Sequence, residues 1–193
     1  MGIEFQKQAL KPGGDWAGNR LTPAETAPRN ILYGTTGVSW GVSGAIRFSY
    51  FTPQATTAVT KAITITGSTA AAATPTLCRI GLWSVAANGD LTLVASTAND
   101  TSLWSSTFTE YATNLSATYT LIGGQRYATG GLVVSATTVP NIMGFSSISG
   151  AATTFARDPR IAGTITGQSD LPASITAGSI ANVNTFHWVG FTA

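Results

Sequence analysis

Residues 78–97, CRIGLWSVAANGDLTLVAST, alternate apolar with small or polar side chains, reverse at Asn88-Gly89-Asp90, and alternate again. Side chains of an extended strand point to opposite faces every second residue, so two such runs around an Asn-Gly pair predict a β-hairpin. Both central residues of a type I′ turn need positive φ, and Asn-Gly supplies this most readily. The alternation places Cys78, Ile80, Leu82, Leu91 and Leu93 on one inner face and Trp83 on the opposite one.

The same texture runs from about residue 31 to the last residues. AIRFSYF (45–51) sets Ile46, Phe48 and Tyr50 in phase, and VTKAITIT (59–66) sets Val59, Lys61, Ile63 and Ile65 in phase. Further strands are expected around 107–111, 118–122, 142–149, 160–166 and 185–192. In IGGQRYATGGLVVSA (122–136), Gly123-Gly124 predicts a turn, and Gly130-Gly131 marks a bulge or a close backbone approach. Turn signals recur every 8–15 residues and no convincing amphipathic helix interrupts them. The expected fold is all-β: an antiparallel β-sandwich, jelly-roll-like, over residues 41–193. The Cys–Trp–Cys spacing of immunoglobulin domains is missing.

The first 40 residues differ. Glu4, Lys7, Lys11, Asp15, Arg20, Glu25 and Arg29 are interleaved with Pro12, Pro23 and Pro28, and neither periodicity survives. They read as an extended arm, with Phe5, Trp16 and Leu21, helped by Ile3 and Leu10, as apolar anchors against a neighbouring subunit.

Charge is scarce. Asp, Glu, Lys and Arg make up 9% of the chain, against about 25% in a typical soluble domain, which fits a surface largely covered by partners. A formal net charge of +2 with scattered basic residues argues against nucleic-acid binding. Neither a signal-peptide layout nor an apolar run of membrane-spanning length is visible, so no membrane insertion is expected and synthesis in a cytoplasm is.

Catalytic groups are equally scarce. His187 is the one histidine, in an apolar terminal strand without a nucleophile motif beside it, and reads as structural. Cys78 is the one cysteine, which rules out an internal disulfide and reads as a small buried hydrophobe. The Asn and Asp residues near 88–100 are explained by turn chemistry better than by calcium, and Arg157-Asp158-Pro159-Arg160 by a solvated or intersubunit cluster. No cofactor, metal or enzymatic activity is expected. Trp40, Trp83, Trp104 and Trp188 are candidates for glycan stacking or for subunit packing, with Trp83 and Trp104 foremost.

The stretches YFTP (50–53), TPTLCRIGLWSV (74–85), NGDLTLVASTANDTSLW (88–104) and GQRYATGGLVV (124–134) together resemble a domain of minor tail and other virion proteins of tailed phages of actinobacteria. The resemblance covers residues 45–144. It implies a jelly-roll-like particle component made in the host bacterial cytoplasm and located on the virion, often without enzymatic activity, and it carries no catalytic residues. The expected partners are other virion proteins and further copies of the chain, a trimer by analogy with other jelly-roll virion parts. The alternative is a module of the phage tail that binds a host-surface glycan.

Overall fold

The structure, a computed structural model, describes residues 24–27, 37–71, 75–135, 137–146 and 161–193. Its strands are β1 (Ala24–Glu25), β2 (Val38–Ser39), β3 (Ile46–Phe51), β4 (Thr57–Ile65), β5 (Leu77–Val85), β6 (Leu91–Ser96) and β7 (Glu110–Leu121). They continue with β8 (Tyr127–Val134), β9 (Asn141–Ile142), β10 (Gly144–Ser146), β11 (Ala162–Ile165), β12 (Ser174–Ile175), β13 (Thr185–His187) and β14 (Gly190–Thr192). A six-stranded sheet, ordered β11-β3-β8-β5-β6-β12, packs on a four-stranded sheet, ordered β1-β14-β4-β7; β2-β9 and β10-β13 form short ribbons. The pairings are antiparallel, and the all-β sandwich expected from the alternation is present.

The interior between the sheets holds Phe51, Cys78, Ile80, Leu82, Tyr127 and Val133 from the larger sheet. Val59, Ala62, Leu115, Leu121 and Phe191 meet them from the smaller one. A second apolar layer lies on the other face of the larger sheet. There Ile46, Phe48, Tyr50, Trp83, Leu91 and Leu132 are roofed by Leu171, Ile175 and Ile180 of the segment 168–181. Leu93 N–H donates to the Ala173 carbonyl (2.8 Å), Ala177 N–H to Asp90 Oδ1 (2.7 Å), and Arg79 Nη1 to Asp170 Oδ1 (2.5 Å), which fastens this strap. With both faces covered, β8 is buried along nearly its whole length.

The hairpin forms where the sequence places it, but two of its details differ. Gly89 N–H donates to the Ala86 carbonyl and Ala86 N–H to the Asp90 carbonyl, both at 2.9 Å. Gly89 has φ 87° whereas Asn88 does not have positive φ, so the reversal is a type I turn closed by a glycine bulge rather than type I′. Asn88 instead acts through its side chain, accepting Asp90 N–H (3.2 Å) and donating to Asp90 Oδ2 (2.8 Å).

Then the register slips: Leu82 faces Ala95 while Trp83 faces Leu93, which leaves Val94 as an extra residue. One inserted residue changes the phase of a strand. Leu91 and Leu93 therefore join Trp83 under the strap, and only Ala95 stays with Ile80 and Leu82. A second, larger irregularity, where Thr60 of β4 stands opposite Leu115–Thr118 of β7, keeps Val59 and Ala62 inside but turns Ile63 and Ile65 outward against Trp188, with Lys61 exposed.

The strands expected at 107–111 and 118–122 are one, the twelve-residue β7. The expected terminal strand is divided into β13 and β14, and β14 is locked between β1 and β4. Within the stretch read as an arm, Ala24–Glu25 pairs with β14, Val38–Ser39 pairs with β9, and Trp40 is fully buried.

Candidate functional site

The tryptophans proposed for glycan or subunit contact are interior residues. Trp40, Trp83, Trp104 and Trp188 are each 0% exposed. A buried indole needs an acceptor for its N–H, and each has one inside the chain. Trp83 donates to the Pro172 carbonyl (3.1 Å) and meets Phe48 edge-on. Trp104 donates to Thr64 Oγ1 (2.8 Å) and Trp40 to the Gly131 carbonyl (2.5 Å), with the two rings 5.3 Å apart. Trp188 donates to the Ala27 carbonyl (2.9 Å). Neither Trp83 nor Trp104 is presented to a sugar or to another subunit. The strap that hides Trp83 lies about ninety residues away in sequence, so the alternation placed the side chain on the second face but not beneath a cover.

Gly130 and Gly131 are the sequence signal for this packing. A Cβ on Gly131 would stand 2.3 Å from Trp40 Cζ2 and 2.7 Å from Trp104 Cη2, and one on Gly130 would stand 2.6 Å from the Arg47 carbonyl oxygen. Of the two readings open for these glycines, close approach is the one the geometry uses.

Cys78 lies in the core, where burial first and the charge of Asp100 second push its thiol up to about 11. His187 is 1% exposed, 4.6 Å from the Trp40 ring, with Nε2 facing the Ser39 carbonyl at 3.3 Å. Burial, then the charge of Arg47, lowers its pKa to about 3, so the ring is neutral at ordinary pH. Among the described residues, no three His, Cys, Asp or Glu side chains come together as a metal site would require. Phe5, Trp16, Leu21 and the cluster Arg157-Asp158-Pro159-Arg160 lie outside the described residues.

What the surface offers is β7. Its exposed residues are Glu110, Ala112, Asn114, Ser116, Ala117, Thr118 and Thr120, so the strand presents methyl and hydroxyl groups and one amide with a single charge. Exposed apolar side chains flank it, Phe108 (60%) before and Ile122 (51%) after. Phe108 has φ 49°, a left-handed conformation unusual for an aromatic residue. Its N–H donates to the Gly67 carbonyl (3.1 Å), and Thr66 Oγ1 accepts Thr109 N–H (2.9 Å) while donating to the Ser106 carbonyl (2.7 Å). The loop thus holds an exposed ring on a fixed, strained backbone, a feature invisible to hydropathy patterning.

No protein-family model and no curated protein matches the chain.

Proposed function

We propose that this chain is a non-enzymatic structural subunit of a tailed-phage virion, a minor tail protein or a capsid-surface decoration protein, that associates with further copies of itself and with other virion proteins. The observation that carries the assembly role is the β7 surface with its flanking Phe108 and Ile122. A solvated strand face normally carries charges of both signs, which keep it in water and discourage association. A nearly uncharged face with exposed apolar residues at both ends is what an interface looks like before it is covered. The fixed backbone at Phe108 reduces the entropy lost on docking. The phage assignment is drawn from the sequence resemblance.

Light scattering across a concentration series, on the intact chain and on Phe108→Ser/Ile122→Ser, tests the surface. Association of the parent and its loss in the variant, with melting temperatures within about 2 °C, is the expected result. A parent that remains monomeric at high concentration and does not bind particles lacking it sinks the proposal.

A further inference from the structure

The turn of the β5–β6 hairpin and the strap that roofs the larger sheet are joined through one side chain. Asp90 Oδ1 accepts the N–H of Ala177 in the strap (2.7 Å), and its Oδ2 accepts Asn88 Nδ2–H (2.8 Å). Asn88 Oδ1 in turn accepts the N–H of Asp90 (3.2 Å). The strap also lies directly on the turn, since a Cβ on Gly89 would stand 3.2 Å from Ala177 Cβ. Asn88 itself is exposed, and it is the one asparagine in the sequence that precedes a glycine. This pair has a chemical consequence besides its turn geometry. A side-chain amide followed by glycine meets a main-chain nitrogen that no neighbouring Cβ shields, and the two can close into a five-membered imide.

We infer that Asn88-Gly89 is a site of spontaneous deamidation gated by the strap: the seated strap protects it, and the product, once formed, loosens the strap. The reaction needs water and nothing else. Gly89 N gives its proton to hydroxide and bonds to Asn88 Cγ, the Cγ–Nδ2 bond breaks, and the side-chain nitrogen takes up a proton and leaves as ammonia. Water then opens the imide. Opening at Cγ yields aspartate, and opening at the main-chain carbonyl sends the backbone through Cγ as isoaspartate.

In the closed hairpin both reacting groups are engaged. Gly89 N–H donates to the Ala86 carbonyl (2.9 Å), and both polar atoms of the Asn88 side chain are held by Asp90. Ring closure requires an attack geometry that these bonds must first release. The strap opposes that release by fixing Asp90 from the other side, so the reaction proceeds through local opening of hairpin and strap together. The product acts back on the strap. Aspartate at position 88 has no N–H for Asp90 Oδ2 and sets a second carboxylate beside it, which draws Asp90 away from Ala177. Isoaspartate lengthens the main chain inside a turn closed by Gly89 N–H on Ala86 and Ala86 N–H on Asp90. Either product seats the cover over Trp83 less firmly. The gate does not depend on the association proposed for β7.

The test follows Asn88 by peptide mass spectrometry while the full chain is kept at mildly alkaline pH, folded or in urea. Deamidation at Asn88 is expected to be at least about tenfold slower in the folded chain, because it draws on a minor open population. Ile175→Ala, which loosens the strap, is expected to speed it about tenfold, whereas Val59→Ala, a truncation between the two sheets, leaves it within about twofold. Asn88→Asp, standing for the product, is expected to speed hydrogen exchange at the Ala177 amide about three- to tenfold, with exchange in β8 unchanged. Folded Asn88 reacting as fast as in urea, equal rates in Ile175→Ala and Val59→Ala, or unchanged Ala177 exchange in Asn88→Asp overturns the gate.

Discussion

Gly131→Ala adds one methyl group at the most crowded point of the interior. The new Cβ would stand 2.3 Å from Trp40 Cζ2 and 2.7 Å from Trp104 Cη2, well inside van der Waals contact. Neither ring has room to retreat, since both are 0% exposed and both are tethered, Trp40 to the Gly131 carbonyl itself and Trp104 to Thr64. Overpacking of this kind costs about 1–3 kcal/mol, and strain on the Trp40 hydrogen bond adds about 0.5–1.5. Replacing glycine by alanine returns about 0.4–1 kcal/mol by restricting the unfolded chain. The net loss is about 0.5–4 kcal/mol, or about 1–16 °C in melting temperature at 2–4 °C per kcal/mol for a chain of this size. Gly178→Ala is the internal control: a Cβ there meets nothing within 4 Å, so the unfolded-state term acts alone and raises the melting temperature by about 1–4 °C. Paired thermal and urea melts measure both. If Gly131→Ala melts at or above the parent temperature, the contact between the glycine strand and the two indoles is not as described.

Trp83→Ala is expected to cost about 3–5 kcal/mol in urea melts, because it empties the layer between the sheet and the strap; a loss under about 1 kcal/mol would mean that the residue is not enclosed. Cys78, buried and with its thiol raised to about 11, is expected to react with a disulfide reagent only as fast as the chain unfolds, so prompt labelling of the native protein contradicts its placement. His187 sets an acid limb. Its folded pKa, about 3, lies below the ordinary 6.5, so the unfolded chain binds the extra proton; stability is full above pH 6.5 and falls as pH drops toward 3. This loss is on the order of a few kcal/mol, and His187→Gln is expected to flatten it.

The fold class was legible because alternation and turn chemistry are local. Ile46, Phe48 and Tyr50 share a face as their spacing requires, and Gly89 reverses the hairpin. What escaped is non-local or depends on an irregularity in strand pairing. Val94 and Thr60 each fall at a register slip, and nothing in their chemistry announces one: a valine and a threonine are ordinary strand residues. Beyond each slip, the facing read from simple alternation is reversed, which is how Leu91, Leu93, Ile63 and Ile65 came to be expected on the wrong side.

Trp83 teaches a different lesson. Its phase opposite Ile80 and Leu82 was readable, and a tryptophan on a second face invites a partner, whether sugar or subunit. The partner is the chain's own segment 168–181, and polar ties make that cover specific, among them Pro172 to the indole N–H, Ala173 to Leu93 N–H, Asp90 to Ala177 N–H, and Asp170 to Arg79. The Arg79–Asp170 pair has an exposed carboxylate side and contributes at most about 1 kcal/mol, so it aligns the strap more than it holds it. The apolar burial of Leu171, Ile175 and Ile180 supplies the holding free energy, about 1.5–3 kcal/mol for each fully buried side chain. With the larger sheet closed on both faces, association through that sheet would require the strap to leave. The smaller sheet, ending in β7 between Phe108 and Ile122, is therefore the lower-cost surface for the self-association proposed above.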